Sequence, residues 1–160
     1  MNNDILKLLE NDSRLTVKDI ASMLGLDEAA VAADIKAMED SKVICGYHTM
    51  INWEHTSLET VNALIEVRIT PQRGQGFDHL AERIYRYQEV HSVYLISGGY
   101  DLLVSLEGKS LREISNFVSD KLSTLDGVLS TATHFVLKKY KDHGTILTSK
   151  NEDERELITP

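Results

Sequence analysis

Apolar positions in the first fifty residues recur at helical spacing in three short runs. The first run predicts a helix over 4–10. Thr16 and Asp19 have the spacing of a capping box at the start of a second helix, and Gly25 is placed to end that helix. Asp27 is then suited to cap a third helix. The pattern predicts a helix, a tight turn and a helix.

In the third helix, Val31, Ile35 and Met38 recur at i, i+4 and i+7, which places them on one buried face and leaves small and charged residues on the other. The stretch 43–50 predicts a short strand, a turn and a second strand. Three helices followed by a small β-wing predict a winged helix-turn-helix, whose second motif helix normally enters the major groove of DNA.

From residue 60 the hydrophobic pattern changes to the alternation of a strand, which continues to Pro71. The order after that point is strand, helix, strand, strand, helix, strand. This order predicts an α+β fold with a ferredoxin-like βαββαβ domain, in which two helices cover one face of an antiparallel sheet. The predicted limits are 1–50 for the winged helix-turn-helix, 51–59 for a linker, 60–145 for the ferredoxin-like domain and 146–160 for a flexible polar tail.

The two middle strands of this domain flank the segment Ser97-Gly98-Gly99-Tyr100-Asp101. Paired glycines supply the positive φ of a tight hairpin, so we predict one here. Their bare backbone N–H groups are also suited to hold a small anion such as a carboxylate. Most glycine-rich turns only reverse the chain, so both interpretations stay open.

The face of the sheet away from the helices is predicted to carry apolar side chains at alternating positions. An open apolar sheet face is unusual for a monomer of this size. We therefore expect two copies of the chain to pair through it.

Length and composition favour a folded, soluble protein, since 42% of the 160 residues are hydrophobic. The net charge of −8 argues against extensive binding to polyanions, so any contact with nucleic acid must be local. No apolar run approaches the roughly 20 residues that cross a bilayer, and the first residues lack the features of a signal peptide. Cys45 is the only cysteine. We expect a cytoplasmic protein without membrane association or an internal disulfide.

The residues give no support to an enzyme, although ferredoxin-like sheets also host catalysis. The six histidines lack paired metal-ligand spacing, and Cys45 has no evident partner. The segment Gly74-Gln75-Gly76 lacks the third glycine of a dinucleotide loop. We predict no catalytic residues, no metal and no cofactor.

Several short motifs occur in order along residues 4–144. They are Asp4-Ile5-Leu6 with Asp12-Ser13-Arg14, Asp19-Ile20-Ala21 with Gly25-Leu26, Val43-Ile44-Cys45-Gly46-Tyr47, Gly98-Gly99-Tyr100-Asp101, and Thr131-Ala132-Thr133 with Phe135-Val136-Leu137. Together they resemble the Lrp/AsnC, or feast/famine, family of transcriptional regulators of bacteria and archaea. The resemblance implies an N-terminal DNA-binding domain and a C-terminal effector-binding domain (RAM-type) that dimerises by sheet-to-sheet packing. It also implies further assembly, commonly into octamers, with an amino acid bound between dimers.

Seven residues are candidates for contact with DNA. Three are cations suited to phosphates or bases, three are small residues suited to thymine methyl groups, and one is an aromatic residue of the predicted wing. In that order they are Arg14, at the predicted start of the second helix, Lys18 and Lys36, then Ala29, Ala32 and Ala33, then Tyr47. Each also has a plainer interpretation, as a solvated charge or a good helix former.

The resemblance places the effector pocket at the central turn, the last strand and the loop near residue 73. Its candidate residues are Gly98, Gly99, Tyr100, Asp101, Thr131, Thr133, Arg73 and Gly74. The chemistry agrees, because backbone N–H groups and threonine hydroxyls can hold an α-carboxylate and Asp101 can pair with an α-ammonium. The alternative is that Asp101 is an ordinary turn residue and the threonines are strand formers.

The chain departs from the family pattern in its charge. Members usually carry arginines at the positions of Ala32, Asp34 and Ala37, and a glycine at Lys42. Residues 1–50 contain five basic and nine acidic residues, a net charge of −4. We expect weak binding of double-stranded DNA per subunit, because phosphate contacts supply most non-specific affinity. Either an oligomer restores the affinity through avidity, or the chain is an amino-acid-sensing module or partner subunit that has lost direct DNA binding.

Overall fold

The computed structural model describes residues 2–70 and 76–148. The chain forms two compact units that divide between Ile51 and Asn52. The residues predicted as a linker therefore fall almost entirely in the second unit, where Trp53–His55 forms one turn of 3-10 helix. No helix within the two described ranges is long and apolar enough to span a membrane.

Three helices form the N-terminal unit, as predicted. They are α1 (Asn3–Asn11), α2 (Val17–Leu24) and α3 (Glu28–Asp40). Each contributes to a single small apolar cluster, because its hydrophobic residues recur on one face. The buried members of this cluster are Ile5, Ile20, Ala21, Val31 and Met38.

The helices begin and end at the capping residues predicted from the sequence. Thr16 Oγ1 accepts from the Asp19 N–H at 3.2 Å, and the Asp19 carboxylate accepts from the Thr16 N–H at 3.0 Å, which completes the capping box. Gly25 ends α2 in the left-handed conformation, with φ 65°. Asp27 caps α3 by accepting from the Ala30 N–H at 3.1 Å.

The β-wing predicted over 43–50 is wrong, since this part of the described chain forms no strand. Lys42 turns the chain with φ 60°, and the N–H groups of Val43 and Ile44 both donate to Met38 O, at 2.9 and 3.0 Å. The first residues after α3 are thereby used to close that helix. A ribbon of two short strands on its own gains little stability in water, so the pattern alone was not sufficient to form it.

The C-terminal unit has the predicted order of elements. They are β1 (Val61–Ile69), α4 (Asp78–Tyr85), β2 (Val90–Leu95), β3 (Leu102–Gly108), α5 (Leu111–Phe117), which continues as a π-helical turn (Val118–Leu122), and β4 (Val128–Phe135). The strands form one antiparallel sheet in the order β2-β3-β1-β4. The predicted α+β fold with a βαββαβ domain is confirmed.

One face of the sheet packs against α4 and α5 to enclose the main core. Along β1, the residues Ala63, Ile65, Val67 and Ile69 are buried and alternate with more exposed ones, as a strand with one covered face requires. Leu80 and Ile84 of α4 and Ile114 and Phe117 of α5 belong to the same cluster. The register of the sheet is therefore fixed by which side chains this core receives.

The opposite, exposed face of the sheet is mixed rather than apolar, which corrects the prediction. Two cross-strand rows from β2 to β4 consist of Tyr94, Leu103, Glu66 and Ala132, and of Ser92, Ser105, Leu64 and His134. The Glu66 carboxylate and the His134 imidazole are neighbours on this face, with His134 Nε2 3.3 Å from Glu66 Oε1. Strands β2, β3 and β4 add serine and histidine to leucine and tyrosine on this face, so the pairing of two copies through it stays a prediction for a mixed face and not for a wholly apolar one.

The central turn is a six-residue loop, 96–101, and not a tight hairpin. It is closed by the Ile96 N–H, which donates to Asp101 O at 2.8 Å. Gly98 and Gly99 do not have the predicted positive φ. A six-residue loop reverses the chain without the left-handed conformation that a two-residue turn requires, so the paired glycines are not needed for the turn itself.

A second hairpin follows the sheet, with strands β5 (Lys141–Asp142) and β6 (Thr145–Ile146). The start of the predicted tail, residues 146–148, therefore adjoins or belongs to this hairpin, and the rest of the tail lies outside the described residues. Leu147 N–H donates to Tyr140 O at 3.0 Å, and Leu147 O accepts from Asn52 Nδ2 at 2.8 Å. That last bond joins the first residue of the C-terminal unit to the end of its described part.

Candidate functional site

The exposed face of α3 carries four of the seven residues predicted to contact DNA. Ala29, Ala32, Ala33 and Lys36 are all exposed. Lys36 Nζ lies 3.2 Å from Asp40 Oδ2, one helical turn further along. Small side chains permit close approach of this face to a groove, but the only basic residue of α3 is already paired within the protein.

Arg14 and Lys18 are the two cations that the sequence places near the start of the second helix. Arg14 is in the turn before α2 rather than at its start, and its guanidinium makes two hydrogen bonds to Asp12, Nε to Oδ1 at 3.0 Å and Nη2 to Oδ2 at 3.1 Å. These hydrogen bonds lower the pKa of the Asp12 carboxyl and raise the pKa of Arg14. Lys18 is exposed on the first turn of α2. Lys18 is therefore better suited than Arg14 to contact a phosphate, because the guanidinium of Arg14 is already bonded to a carboxylate.

Tyr47 is tied to α3 and does not lie on a wing. Its hydroxyl donates to Glu39 Oε1 at 2.8 Å. Burial and the hydrogen bond to Glu39 raise the pKa of the Tyr47 phenol above its ordinary value of 10.0, so it remains a neutral donor. A contact between this hydroxyl and a DNA phosphate would require its bond to Glu39 to break.

The predicted effector loop, 96–101, is fastened to the sheet by Asp101. The Asp101 N–H donates to Val67 O at 3.0 Å, and Asp101 Oδ2 accepts from the Ile69 N–H at 2.7 Å. Asp101 therefore has a structural role in the loop, as its plainer interpretation predicts. This role does not exclude a second one, because the carboxylate has a further oxygen, Oδ1, on which no described residue forms a hydrogen bond.

The glycines of this loop leave space around it. Gly98 and Gly99 are exposed, and Tyr100 is half-buried. A Cβ added at Gly98 would meet one side-chain carbon at 3.7 Å, and a Cβ added at Gly99 would meet nothing within 4 Å. The remaining loop candidates, Arg73 and Gly74, lie outside the described residues.

The two candidate threonines lie on the other face of the sheet. Thr131 pairs with Val67 and Thr133 with Ile65, so both side chains share the helix-covered face with these buried residues. Thr131 Oγ1 lies 3.1 Å from Ser123 Oγ, which follows the π-helical turn. The structure therefore does not bring the threonines together with the exposed face of the sheet.

Arg68, a residue of β1 that was not among the candidates from the sequence, reaches the effector loop. Its Nε donates to Gly99 O at 3.0 Å. Arg68 pairs in register with Ser130 of β4, and on the β3 side Asp101 is hydrogen-bonded to Val67 and Ile69, the two neighbours of Arg68 along β1. We call Asp101, Arg68 and Ser130 the end row of the exposed face. A cation on a strand, close to where the strand ends beside a glycine loop, is the signal that would have identified it.

A shallow cleft lies near the same end of β1. It is lined by Ile69, Thr70, Gly76, His79, Leu80, Asp126 and Gly127. None of the effector candidates among the described residues lines it. Within the described ranges, no three His, Cys, Asp or Glu side chains come together in a way that would hold a metal ion.

Two family models match the chain. The AsnC-type helix-turn-helix domain matches residues 2–39, and the Lrp/AsnC ligand binding domain matches residues 62–146. The first match contains α1, α2 and nearly all of α3, and the second contains the sheet, α4, α5 and the C-terminal hairpin.

Related proteins agree with both matches. The HTH-type transcriptional regulator YugG of Bacillus subtilis is 49% identical over 158 residues, which are 98% of this chain and 95% of that protein. The proline dehydrogenase transcriptional activator of Rhodobacter capsulatus is 30% identical over 134 residues, 84% of this chain and 86% of that protein.

Solved structures share the fold. A transcriptional regulator of Neisseria meningitidis in complex with L-Met has a TM-score of 0.69 at 26% identity, covering 86% of this chain and 88% of that one. AsnC of Escherichia coli has a TM-score of 0.68 at 18% identity, covering 92% of this chain and 99% of that one. The chain therefore belongs to the Lrp/AsnC family of transcriptional regulators.

Proposed function

We propose that this member is an amino-acid-responsive regulator that binds specific sequences of double-stranded DNA. Residues 1–50 form its DNA-binding domain, and residues 60–145 form its effector-binding and oligomerisation domain. The observation that carries the proposal is a fully capped helix-turn-helix with an exposed small-residue face, in one chain with a ligand-binding domain of the Lrp/AsnC type. The protein acts in the cytoplasm, as a regulator and not as an enzyme.

Contact with DNA is made through α3 in the major groove. Ala29, Ala32 and Ala33 allow this helix to lie close to the bases, where alanine methyl groups can contact thymine methyl groups. Lys18 contributes a phosphate contact. The pairing of Lys36 with Asp40, together with that of Arg14 with Asp12, supports weak affinity per subunit, because these cations must be shared between a carboxylate and the DNA.

The effector is an amino acid bound at the loop 96–101. Two observations support this placement: the loop is exposed at its glycines, and Arg68 bonds to the loop close to Asp101, the acidic residue at its end. That a regulator 26% identical to this chain forms a complex with L-Met supports an amino acid as the ligand class.

The active form is a homodimer that assembles further, into a particle such as an octamer. Leu64, Leu103 and Tyr94 lie in the middle of the exposed sheet face and are suited to pack against a second copy. An assembly presents several copies of α3 to one DNA molecule, so avidity can raise the affinity by roughly 100-fold or more over that of a single domain.

A second candidate function is an amino-acid-sensing module or partner subunit without direct DNA binding. The observation that favours it is the charge of the N-terminal residues 1–50, which is −4. Asp34 and Glu39 on α3 add negative charge to the helix that would enter the groove.

A binding assay against the promoter region of its own gene separates the two candidates. Fluorescence anisotropy of a labelled fragment is measured at falling salt concentration, with and without each common amino acid. We expect binding at low salt that an amino acid modulates. Absence of binding at every salt concentration would refute direct DNA binding by this chain.

Charge variants identify the cause of weak binding. Asp34→Arg is expected to strengthen binding, because it places a cation on α3, whereas the charge-matched control Asp120→Arg in the C-terminal unit is not. Equal effects of the two variants would show that net charge matters and the position on α3 does not.

A further inference from the structure

Arg68 has unused hydrogen-bonding capacity beside the effector loop. Its side chain is exposed, and one donor, Nε, is used in the bond to Gly99 O. A guanidinium has five N–H donors in a planar fork, so four remain on the two terminal nitrogens. No carboxylate of the described residues forms an ion pair with Arg68. The edge formed by its two terminal nitrogens is therefore available to a bidentate partner.

The bond to Gly99 O also restricts where this fork lies. A long arginine side chain on a strand normally samples many rotamers, and ordering it costs conformational entropy. Here the backbone of the loop holds Nε at 3.0 Å, so part of that ordering is present before any ligand binds. A fork held in one place is the arrangement that carboxylate recognition requires.

The neighbours of Arg68 complete a site for both charged groups of an amino acid. Asp101 Oδ2 is fixed by the Ile69 N–H, which orients the carboxylate and leaves Oδ1 as an acceptor. Ser130 lies on the opposite side of Arg68 and contributes an exposed hydroxyl. Adjacent residues across strands are about 5 Å apart, a distance that a zwitterionic backbone can bridge with its carboxylate on one residue and its ammonium on the next.

A β-bulge shapes this row. The register between β1 and β4 shifts between Arg68 and Ile69, so that Ser130 pairs with Arg68 while Val128 pairs with Ile69. The extra residue, Leu129, has no partner on β1 and is 67% exposed. Bulges of this kind change the direction of neighbouring side chains at the end of a strand, and they are frequent beside binding sites.

We propose that Arg68 binds the α-carboxylate of the amino-acid effector through its two terminal nitrogens, while Asp101 Oδ1 accepts from the α-ammonium. Ser130 Oγ donates a further hydrogen bond to the carboxylate. This inference rests on the proposed function, because it identifies the residues that read the charged groups common to all amino acids. The side chain of the effector is then read by other residues, so Arg68 determines the class of ligand and not which amino acid binds.

The test measures how strongly each variant prefers a carboxylate. The full chain is screened against the common amino acids by thermal shift, and the dissociation constants of the best ligand and of its α-amide are measured by isothermal titration calorimetry. The amide keeps the ammonium and the side chain but lacks the charged carboxylate. The variants are Arg68→Gln and Arg68→Lys, with Arg86→Gln as the control, since Arg86 is an exposed arginine paired with a glutamate on α4.

The wild type and Arg86→Gln are expected to prefer the acid over the amide. Arg68→Gln is expected to lose roughly ten- to hundredfold in affinity for the acid, and its preference for the acid over the amide is expected to disappear. Arg68→Lys keeps a positive charge but not the fork, so it is expected to retain part of the preference. Because the preference is a ratio within one protein, a change in folding stability does not account for its loss.

Two results would overturn the inference, and they differ. If Arg68→Gln and Arg68→Lys bind the acid as tightly as the wild type and keep the same preference over the amide, Arg68 only braces the loop and the proposed function stands. If the wild type responds to no amino acid, the proposed effector-binding function fails and the role of Arg68 fails with it.

Discussion

Lys36 and Asp40 form an ion pair of 3.2 Å on α3, the helix proposed to contact DNA, with both side chains more than two-thirds exposed. A phosphate and the Asp40 carboxylate therefore compete for the same cation. We therefore expect the affinity of this chain for DNA to be limited by an internal partner as well as by the number of its basic residues.

Asp40→Asn is expected to strengthen DNA binding and to steepen its salt dependence by up to about one unit in the plot of log affinity against log salt concentration, since one more phosphate contact becomes available. Titrations of a labelled promoter fragment at several salt concentrations measure both quantities. Glu82→Gln removes the acidic member of the Glu82–Arg86 pair, which has the same spacing on a helix of the C-terminal unit, and is expected to change neither. If both variants gain equally in DNA affinity, Asp40 does not compete with a DNA phosphate for Lys36.

Asp101→Asn and Asp101→Ala separate the structural role of Asp101 from its charge. Asparagine keeps an oxygen that accepts from the Ile69 N–H, whereas alanine leaves that donor without its partner, at a cost of about 1–3 kcal/mol. Both variants are expected to lose the response to amino acids, but only Asp101→Ala is expected to lower the free energy of unfolding substantially. Urea unfolding without ligand, followed by thermal shift with ligand, checks both parts. An Asp101→Asn protein with full effector response would show that the negative charge has no role in binding.

Gly98→Ala and Gly99→Ala test whether the loop glycines serve the fold or the ligand. Neither residue has positive φ, and an added Cβ meets at most one carbon at 3.7 Å, so the free energy of unfolding is expected to change by no more than about 0.5 kcal/mol. Effector affinity is expected to fall, because the new methyl group occupies space beside the loop. Gly127→Ala is the contrast, since φ 96° at Gly127 predicts a loss of about 1 kcal/mol or more. If the Gly99→Ala protein is as unstable as the Gly127→Ala protein, Gly99 serves the fold and the prediction is wrong.

Glu89 and Lys121 provide a pH-dependent contribution to stability. Lys121 Nζ lies 2.6 Å from Glu89 Oε1 and 5.3 Å from the centre of the Phe117 ring. The hydrogen bond from Lys121 lowers the pKa of Glu89 below its ordinary value of 4.5, and the bond to Glu89 raises the pKa of Lys121 above 10.5. A carboxyl with a lowered pKa stabilises the fold above its ordinary pKa, and this contribution is lost as pH falls through the lowered value.

Glu89→Gln is therefore expected to reduce the free energy of unfolding at neutral pH by about 1 kcal/mol or less, since the pair is partly exposed. The difference from the wild type is expected to shrink as the pH falls below 4.5. Urea unfolding of both proteins at a series of pH values measures it. A difference that stays constant into strong acid would show that packing, and not the ion pair, is the cause.

Local signals were sufficient for the three N-terminal helices and for the strands and helices of the C-terminal unit, although they also predicted a wing and a tight central hairpin that the structure does not contain over 43–50 and 96–101. Thr16 with Asp19, Gly25 and Asp27 predicted the ends of α2 and α3 because each acts on backbone groups within a few residues of itself. The alternation along β1 predicted which residues face the core for a similar reason, since the two faces of a strand follow directly from its period.

The placement of the site depended on contacts that are distant in sequence. Thr131 and Thr133 were predicted as effector residues, but pairing with β1 turns them to the helix-covered face. A shift of one residue in the register between β1 and β4 would turn side chains of β4 to the opposite face of the sheet. The bulge after Arg68 is a shift of this kind. Arg68 and Gly99 are 31 residues apart, so no local pattern in the sequence joins them.

The hydrogen bond between Asn52 and Leu147 has a consequence for how this protein can be rebuilt. It brings the point where the chain enters the C-terminal unit beside the point where its described part ends. A module whose entry and exit lie together can be cut out, joined to a different DNA-binding domain or permuted in sequence without opening its core. A fragment of residues 52–148 contains both partners of this bond and is the natural one to transplant.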